Sequence, residues 1–139
     1  MGIIFDKVIP TESQIEQLYS FFEKRKYQIS HNVTPSIIDH TEFVKSNPYL
    51  AWYLAYKDDA LICSVYVQND NSIGVNLLEG FEGCFIPIID FIKNLHEPLP
   101  PIKSVRRGSF FVNVSPKNLK LLQYLETLNV EEIQRSFSV

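Results

Sequence analysis

Apolar positions follow two different periods along this chain, and each change of period marks the edge of a predicted element. Ile3 to Ile9 is short and apolar enough for a strand. Thr11-Glu12-Ser13-Gln14, just after Pro10, has the T-x-x-Q form of a capping box, in which two side chains satisfy the first free N–H groups of a helix. Ile15, Leu18, Tyr19 and Phe22 then recur at i, i+3, i+4 and i+7, which gives that helix one apolar face. Glu23-Lys24-Arg25-Lys26 reads as its solvated end. Tyr27 to Thr34 is polar and reads as a loop. Pro35 suits the first turn of a second helix, capped by Thr34 or Ser36 and reaching Ser46, although Ile37, Ile38, Phe43 and Val44 form no single stripe.

The period then shortens. Tyr49 to Tyr56 and Leu61 to Val67 are rich in aromatic and β-branched residues and are joined by Lys57-Asp58-Asp59-Ala60. A second turn, Gln68-Asn69-Asp70-Asn71, leads into Ser72 to Leu78, so three strands form an antiparallel meander. After the turn Glu79-Gly80-Phe81-Glu82-Gly83, helical spacing returns with Ile88, Phe91, Ile92 and Leu95. Pro87 is tolerated only in a first helical turn, which puts the start near Phe85. Pro98-Leu99-Pro100-Pro101 is a stiff connection, and Ser104 to Val114 reads as a strand parallel to the one before the crossover helix. Ser115 and Pro116 suit N-cap and N1 of a last helix with Leu121, Leu122, Leu125 and Leu128 on one face. Asn129 fits a left-handed helix end, and Val130 to Val139 alternates as a closing strand would. The order β-α-α-β-β-β-α-β-α-β predicts a single α/β domain over residues 1–139, a mixed central sheet flanked by about four helices.

Composition narrows the function more than the fold. The 139 residues are 45% hydrophobic and 21% charged, as in an ordinary globular chain, with no repeat or low-complexity tract. A net charge of −3 argues against nucleic-acid binding, which favours a basic surplus. No apolar run reaches the ~18 residues of a membrane span. The opening Met-Gly-Ile-Ile-Phe-Asp has neither a basic n-region nor a myristoylation pattern, so a cytoplasmic protein is expected. Cys63 and Cys84 are far apart in sequence, and neither they nor His40 and His96 have metal-ligand spacing, so no metal is expected.

Three stretches carry a family likeness. Val112-Asn113-Val114-Ser115-Pro116-Lys117-Asn118 with Tyr124-Leu125-Glu126-Thr127-Leu128-Asn129-Val130 resembles the strand, Asn-bearing helix and ending of the GNAT acetyltransferases. Ile29-Ser30-His31, Pro35, His40, Phe43-Val44, Pro48-Tyr49 and Trp52-Tyr53-Leu54 are similar to a GNAT branch linked to sugar or sugar-nucleotide amines. Ser72-Ile73-Gly74-Val75-Asn76-Leu77 resembles the strand before the family's pyrophosphate loop. The resemblance implies a GNAT fold and transfer of acetyl from acetyl-CoA to a small-molecule amine, an amino sugar or sugar nucleotide among the candidates, and it allows a homodimer. It implies that Val75, Asn76, Leu77, Gly80, Gly83, Cys84, Phe85, Asn113 and Asn118 meet the carrier and that His31 and Trp52 meet the acceptor. It also implies Glu79 as acceptor of the amine proton and Tyr124 as acid.

The chain departs from the family in two places. The loop pattern Q/R-x-x-G-x-G/A aligned on Gly83 puts Phe85 where a small residue belongs. Shifted by two, it puts Glu82 at the Q/R position, where a carboxylate opposes phosphate, and Pro87 at the last glycine. The family's Tyr stands seven positions after the helix Asn; here that position is Leu125, with Tyr124 one place earlier. These departures keep a second reading open, a GNAT-fold protein that has lost catalysis and binds CoA or a protein partner. An unrelated α/β domain is the third.

Overall fold

The computed structural model describes residues 2–24 and 36–139. His31, Pro35 and the polar stretch around them lie outside the described residues. The elements are β1 (Ile4–Lys7), α1 (Glu12–Lys24), α2 (Ile37–Ser46), β2 (Ala51–Lys57), β3 (Ala60–Val67), β4 (Ser72–Leu77), a 3-10 turn (Glu82–Cys84), α3 (Phe85–Leu95), β5 (Phe111–Val112) and α4 (Leu119–Thr127). They build a mixed sheet in the order β1-β2-β3-β4-β5. The first four strands pair antiparallel, and β5 joins β4 in parallel after the α3 crossover.

Local chemistry sets the element ends. Thr11 Oγ1 accepts the Gln14 N–H at 3.3 Å, and the Gln14 side chain reaches back beyond the cap. Its Oε1 accepts the Ile9 N–H at 2.7 Å and its Nε2 donates to the Lys7 carbonyl at 3.2 Å, so one amide ties α1 to the end of β1. Ser36 caps α2 through its hydroxyl, and Asn47 closes that helix in the left-handed region at φ 42°. Asp58 and Asp59 both have positive φ, 51° and 64°, as a two-residue type I′ hairpin requires between β2 and β3.

The pleat divides the core between two faces. Register places Ala51, Tyr53 and Ala55 beside Val67, Val65 and Cys63, and Ile88 and Ile92 of α3 complete this layer. On the other face Trp52 and Leu54 lie beside Tyr66 and Ser64, under Ile15 and Leu18 of α1 and Val44 of α2. Trp52 is 2% exposed and its Nε1 donates to Ser64 Oγ at 2.8 Å. The expectation that Trp52 meets an acceptor is therefore corrected: its ring is core, spent on packing against α2.

Three other expectations change. The strand predicted over Ser104 to Val114 is reduced to Phe111–Val112. Residue 104 turns left-handed at φ 63°, the Val105 and Arg106 amides fold back on the Ile102 carbonyl, and a side chain, that of Asn71, takes the Arg107 carbonyl. Asn71 is buried and donates from Nδ2 to the carbonyls of Leu99 (2.9 Å) and Arg107 (2.6 Å), while its Oδ1 accepts the Leu99 N–H at 2.7 Å. Its own carbonyl accepts the Phe111 N–H at 3.3 Å, which seats β5 against β4. The last helix is capped by Asn118 rather than Ser115, because the Ser115 hydroxyl and carbonyl are used in a preceding turn by the amides of Lys117 and Asn118. Finally, residues 130–139 form no strand; Val130, Ile133 and Phe137 are exposed, although Asn129 does adopt the left-handed end at φ 58°.

Candidate functional site

β4 and β5 stay together for only two pairs, Ser72 with Phe111 and Ile73 with Val112, and then separate. The parity of the β3–β4 ladder decides what this exposes. The Leu78 N–H donates to the Ile62 carbonyl, and the Gln68 N–H to the Ser72 carbonyl. Even-numbered residues of β4, Asn76 among them, therefore turn their main-chain groups toward β3. The N–H and C=O of Val75 and Leu77 point the other way, into the gap. Unpaired main-chain groups of this kind are a ready edge for an extended ligand. The gap is a cleft of about 250 Å³. Val75, Leu77 and Glu79 line one wall, Asn113, Asn118 and Leu121 the other.

Beyond the cleft the chain turns sharply. Gly80 sits at φ 97°, a conformation that suits glycine. Several amides of this turn are already committed: Phe81 donates to the Leu78 carbonyl, Cys84 to that of Phe81 and Phe85 to that of Glu82. The Gly80 N–H donates to the carboxylate of Glu82, 3.1 Å from both oxygens. The amides of Glu82 and Gly83 open the 3-10 turn and precede its first internal bond. This corrects the expectation for Cys84 and Phe85, whose side chains are buried in the core and whose amides are taken. Phe85, though bulky, does not enter the cleft. Burial pushes the Cys63 thiol up, with Cys84 adding to the effect, so Cys63 is an inert core group.

Glu79, two residues past the end of β4, lines the cleft and pairs with Lys120 of α4, Nζ to Oε1 2.6 Å, so an ion pair spans the two walls. Asn118 combines two positions, lining the cleft while its Oδ1 caps α4 through the Leu121 N–H at 3.3 Å. Tyr124 does not line the cleft. Six residues past Asn118 the helix has turned Tyr124 about 120° from Asn118, although only about 60° from Leu121. The cleft lining thus lends no support to Tyr124 as acid. His40 is buried, its Nε2 hydrogen-bonded to the Ile15 carbonyl at 3.0 Å, and it joins α1 to α2. The structure thus brings together Val75, Asn76, Leu77, Glu79, Asn113 and Asn118. Lys24, Phe81 and Glu82 also line the cleft and were not read as ligand contacts from sequence. Glu82 alone left a trace there, as the misfit of the shifted loop alignment.

No family model and no curated protein matches the chain. Solved structures do. The aminoglycoside N-acetyltransferase AAC(6')-Iy in complex with a bisubstrate analogue, CoA-S-monomethyl-acetylneamine, superposes with a TM-score of 0.63 at 12% identity, covering 100% of this chain and 97% of that one. An aminoglycoside acetyltransferase from an uncultured soil metagenomic sample gives 0.59 at 14% identity, over 100% and 98% of the two chains. A protein described as a possible acetyltransferase from Clostridium difficile 630 gives 0.58 at 13% identity, over 100% and 97%. At such identities likeness resides in the backbone, and what it establishes is that this chain has the fold of the GNAT acetyltransferases.

Proposed function

We propose that the protein is an N-acetyltransferase that moves acetyl from acetyl-CoA to the primary amine of a small molecule, by direct attack within a ternary complex. One observation carries the reading: β4 and β5 part after two paired residues and turn the Val75 and Leu77 main chain toward a cleft. The amides of a pantetheine arm pair there as an added strand would. The acceptor nitrogen attacks the thioester carbon, forming C–N while the carbonyl oxygen takes up negative charge beside main-chain N–H donors of β4. Collapse restores the carbonyl, breaks C–S and releases a thiolate that is protonated by solvent. Glu79 takes the amine proton, directly or through water, with Lys120 balancing its charge. Asn113 and Asn118 hold the carrier from the opposite wall. The aminoglycoside acetyltransferases among the structural neighbours support an amino sugar as the acceptor class.

A second reading, a CoA-binding module without turnover, is favoured by the absence of Tyr124 from the cleft lining. Thermal shift and thiol release separate the two. Acetyl-CoA at 100 times its dissociation constant stabilises by about 2.7 kcal/mol. A shift together with thiol release over a panel of amino sugars supports the enzyme. A shift without release selects the binding module. No shift at millimolar carrier overturns both. Glu79→Gln is expected to lower turnover by about 10²-fold with the thermal shift retained. An unchanged rate removes Glu79 from the mechanism. A Cβ on Gly83 meets open space, so Gly83→Val folds and reduces the shift where phosphates approach that turn.

A further inference from the structure

The Glu82 carboxylate lies across a main-chain N–H that the proposed carrier needs. Both its oxygens are 3.1 Å from the Gly80 amide, and its side chain lines the cleft at the end where the turn runs into α3. A pyrophosphate approaching this turn seeks the same amide with the adjoining amides of Glu82 and Gly83. Those of Phe81, Cys84 and Phe85 are already committed, and Pro87 has none, so the turn has few donors to spare. An incoming phosphate therefore meets a fixed negative charge that already holds one of them. Among the described residues, Lys24 lines the cleft, Lys120 is paired with Glu79, and Lys57 Nζ stands 3.9 Å from Cys84 Sγ of the same turn.

We propose that Glu82 is a specificity-determining residue of the cleft, an internal anion that competes with the carrier's pyrophosphate for the Gly80 amide and lowers the affinity for CoA relative to carriers without a phosphate at this turn. The inference rests on the reading of the cleft as a pantetheine site. Competition of this kind acts on the pyrophosphate only and leaves the pantetheine arm, held by Val75 and Leu77, untouched. Glu82 is half-exposed in a turn, so Glu82→Gln and Glu82→Ala remove the charge without opening the core.

The experiment is calorimetric titration of the wild-type protein, E82Q and E82A with CoA and with pantetheine. Both variants are expected to bind CoA about tenfold more tightly or better, as befits loss of a charged competitor for one hydrogen bond, with pantetheine unchanged within about twofold. The CoA advantage is expected to shrink as salt rises from about 0.05 to 0.5 M, because part of it is charge repulsion. A change in CoA affinity below about threefold in both variants overturns the proposal, and so does a parallel change for pantetheine. If CoA and pantetheine bind none of the three proteins, the reading of the cleft fails and this inference falls with it. If CoA binds but ignores the substitutions, only the inference falls.

Discussion

Replacing Asn71 by Asp changes one atom type and is expected to destabilise the protein severely. The Asn71 amide is 1% exposed and makes three hydrogen bonds, to the Leu99 and Arg107 carbonyls and from the Leu99 N–H. Aspartate keeps the shape and tolerates the left-handed φ of 71°, so backbone strain does not enter. It turns a donor that serves two carbonyls into an oxygen facing both. Two hydrogen bonds are lost at about 1 kcal/mol each, and a buried charge is set against two carbonyl dipoles at about 1–3 kcal/mol more. The expected total is about 3–5 kcal/mol, a large part of the 5–15 kcal/mol that holds a domain of this size together. Urea unfolding reads it directly: with a slope near 2 kcal/mol/M, the midpoint falls by about 1.5–2.5 M. Asn71→Gly, which keeps the backbone freedom but removes all three bonds, is the companion. A loss under about 1 kcal/mol in Asn71→Asp refutes the idea that this amide seats the Leu99–Arg107 segment and β5.

Two further perturbations test other parts of the argument. Burial lowers the His40 pKa, only partly offset by the bond to the Ile15 carbonyl, so the unfolded chain takes up a proton near pH 6.5 that the native state resists. Its contribution to stability is therefore complete above that pH and is lost as pH falls toward the lower native value. His40→Gln is expected to flatten the pH 7-to-5 stability profile relative to wild type; parallel profiles contradict the assignment. Gly74 lies under the Tyr66 ring, where an added Cβ would come within 2.0 Å of the ring, and that ring is stacked on Tyr49 at 3.9 Å. Gly74→Ala is expected to cost about 1–3 kcal/mol in thermal or urea unfolding, and Tyr66→Leu to relieve much of it in a double-mutant cycle.

The sequence was most legible where side chains repeat with a clear period. The apolar stripe of α1, the β2–β3–β4 meander and the start of α3 at Phe85 all follow from local pattern. Legibility failed where the partner is remote. Phe110, Phe111 and Val112 look like the middle of a strand, but the segment before them spends its carbonyls on Asn71, far away in sequence. Residues 130–139 alternate but pair with no strand among the described residues. At the last helix Ser115 and Asn118 are both good caps, and only the turn between them decides for Asn118. The cleft was legible as the main chain after Gly74 and as Asn113 and Asn118, since these sit on elements whose spacing is explicit. Trp52 was misread because an aromatic on a two-sided sheet serves either face, and a sequence does not state which face is covered. Glu82 was read only as a flaw in a phosphate loop, because a side chain returning to the amide two residues behind it leaves no periodic mark.

Trp52 is also the sole tryptophan of the chain, held between Tyr49 and Phe43 and shut away from water. Its indole is thus a built-in optical probe of the layer beneath α1 and α2. Emission should shift to the red when that layer loosens, while filling of the cleft, which Trp52 does not line, should leave the spectrum nearly still. Collapse of the architecture and arrival of a ligand can then be followed in one cuvette as separate signals, with no label added.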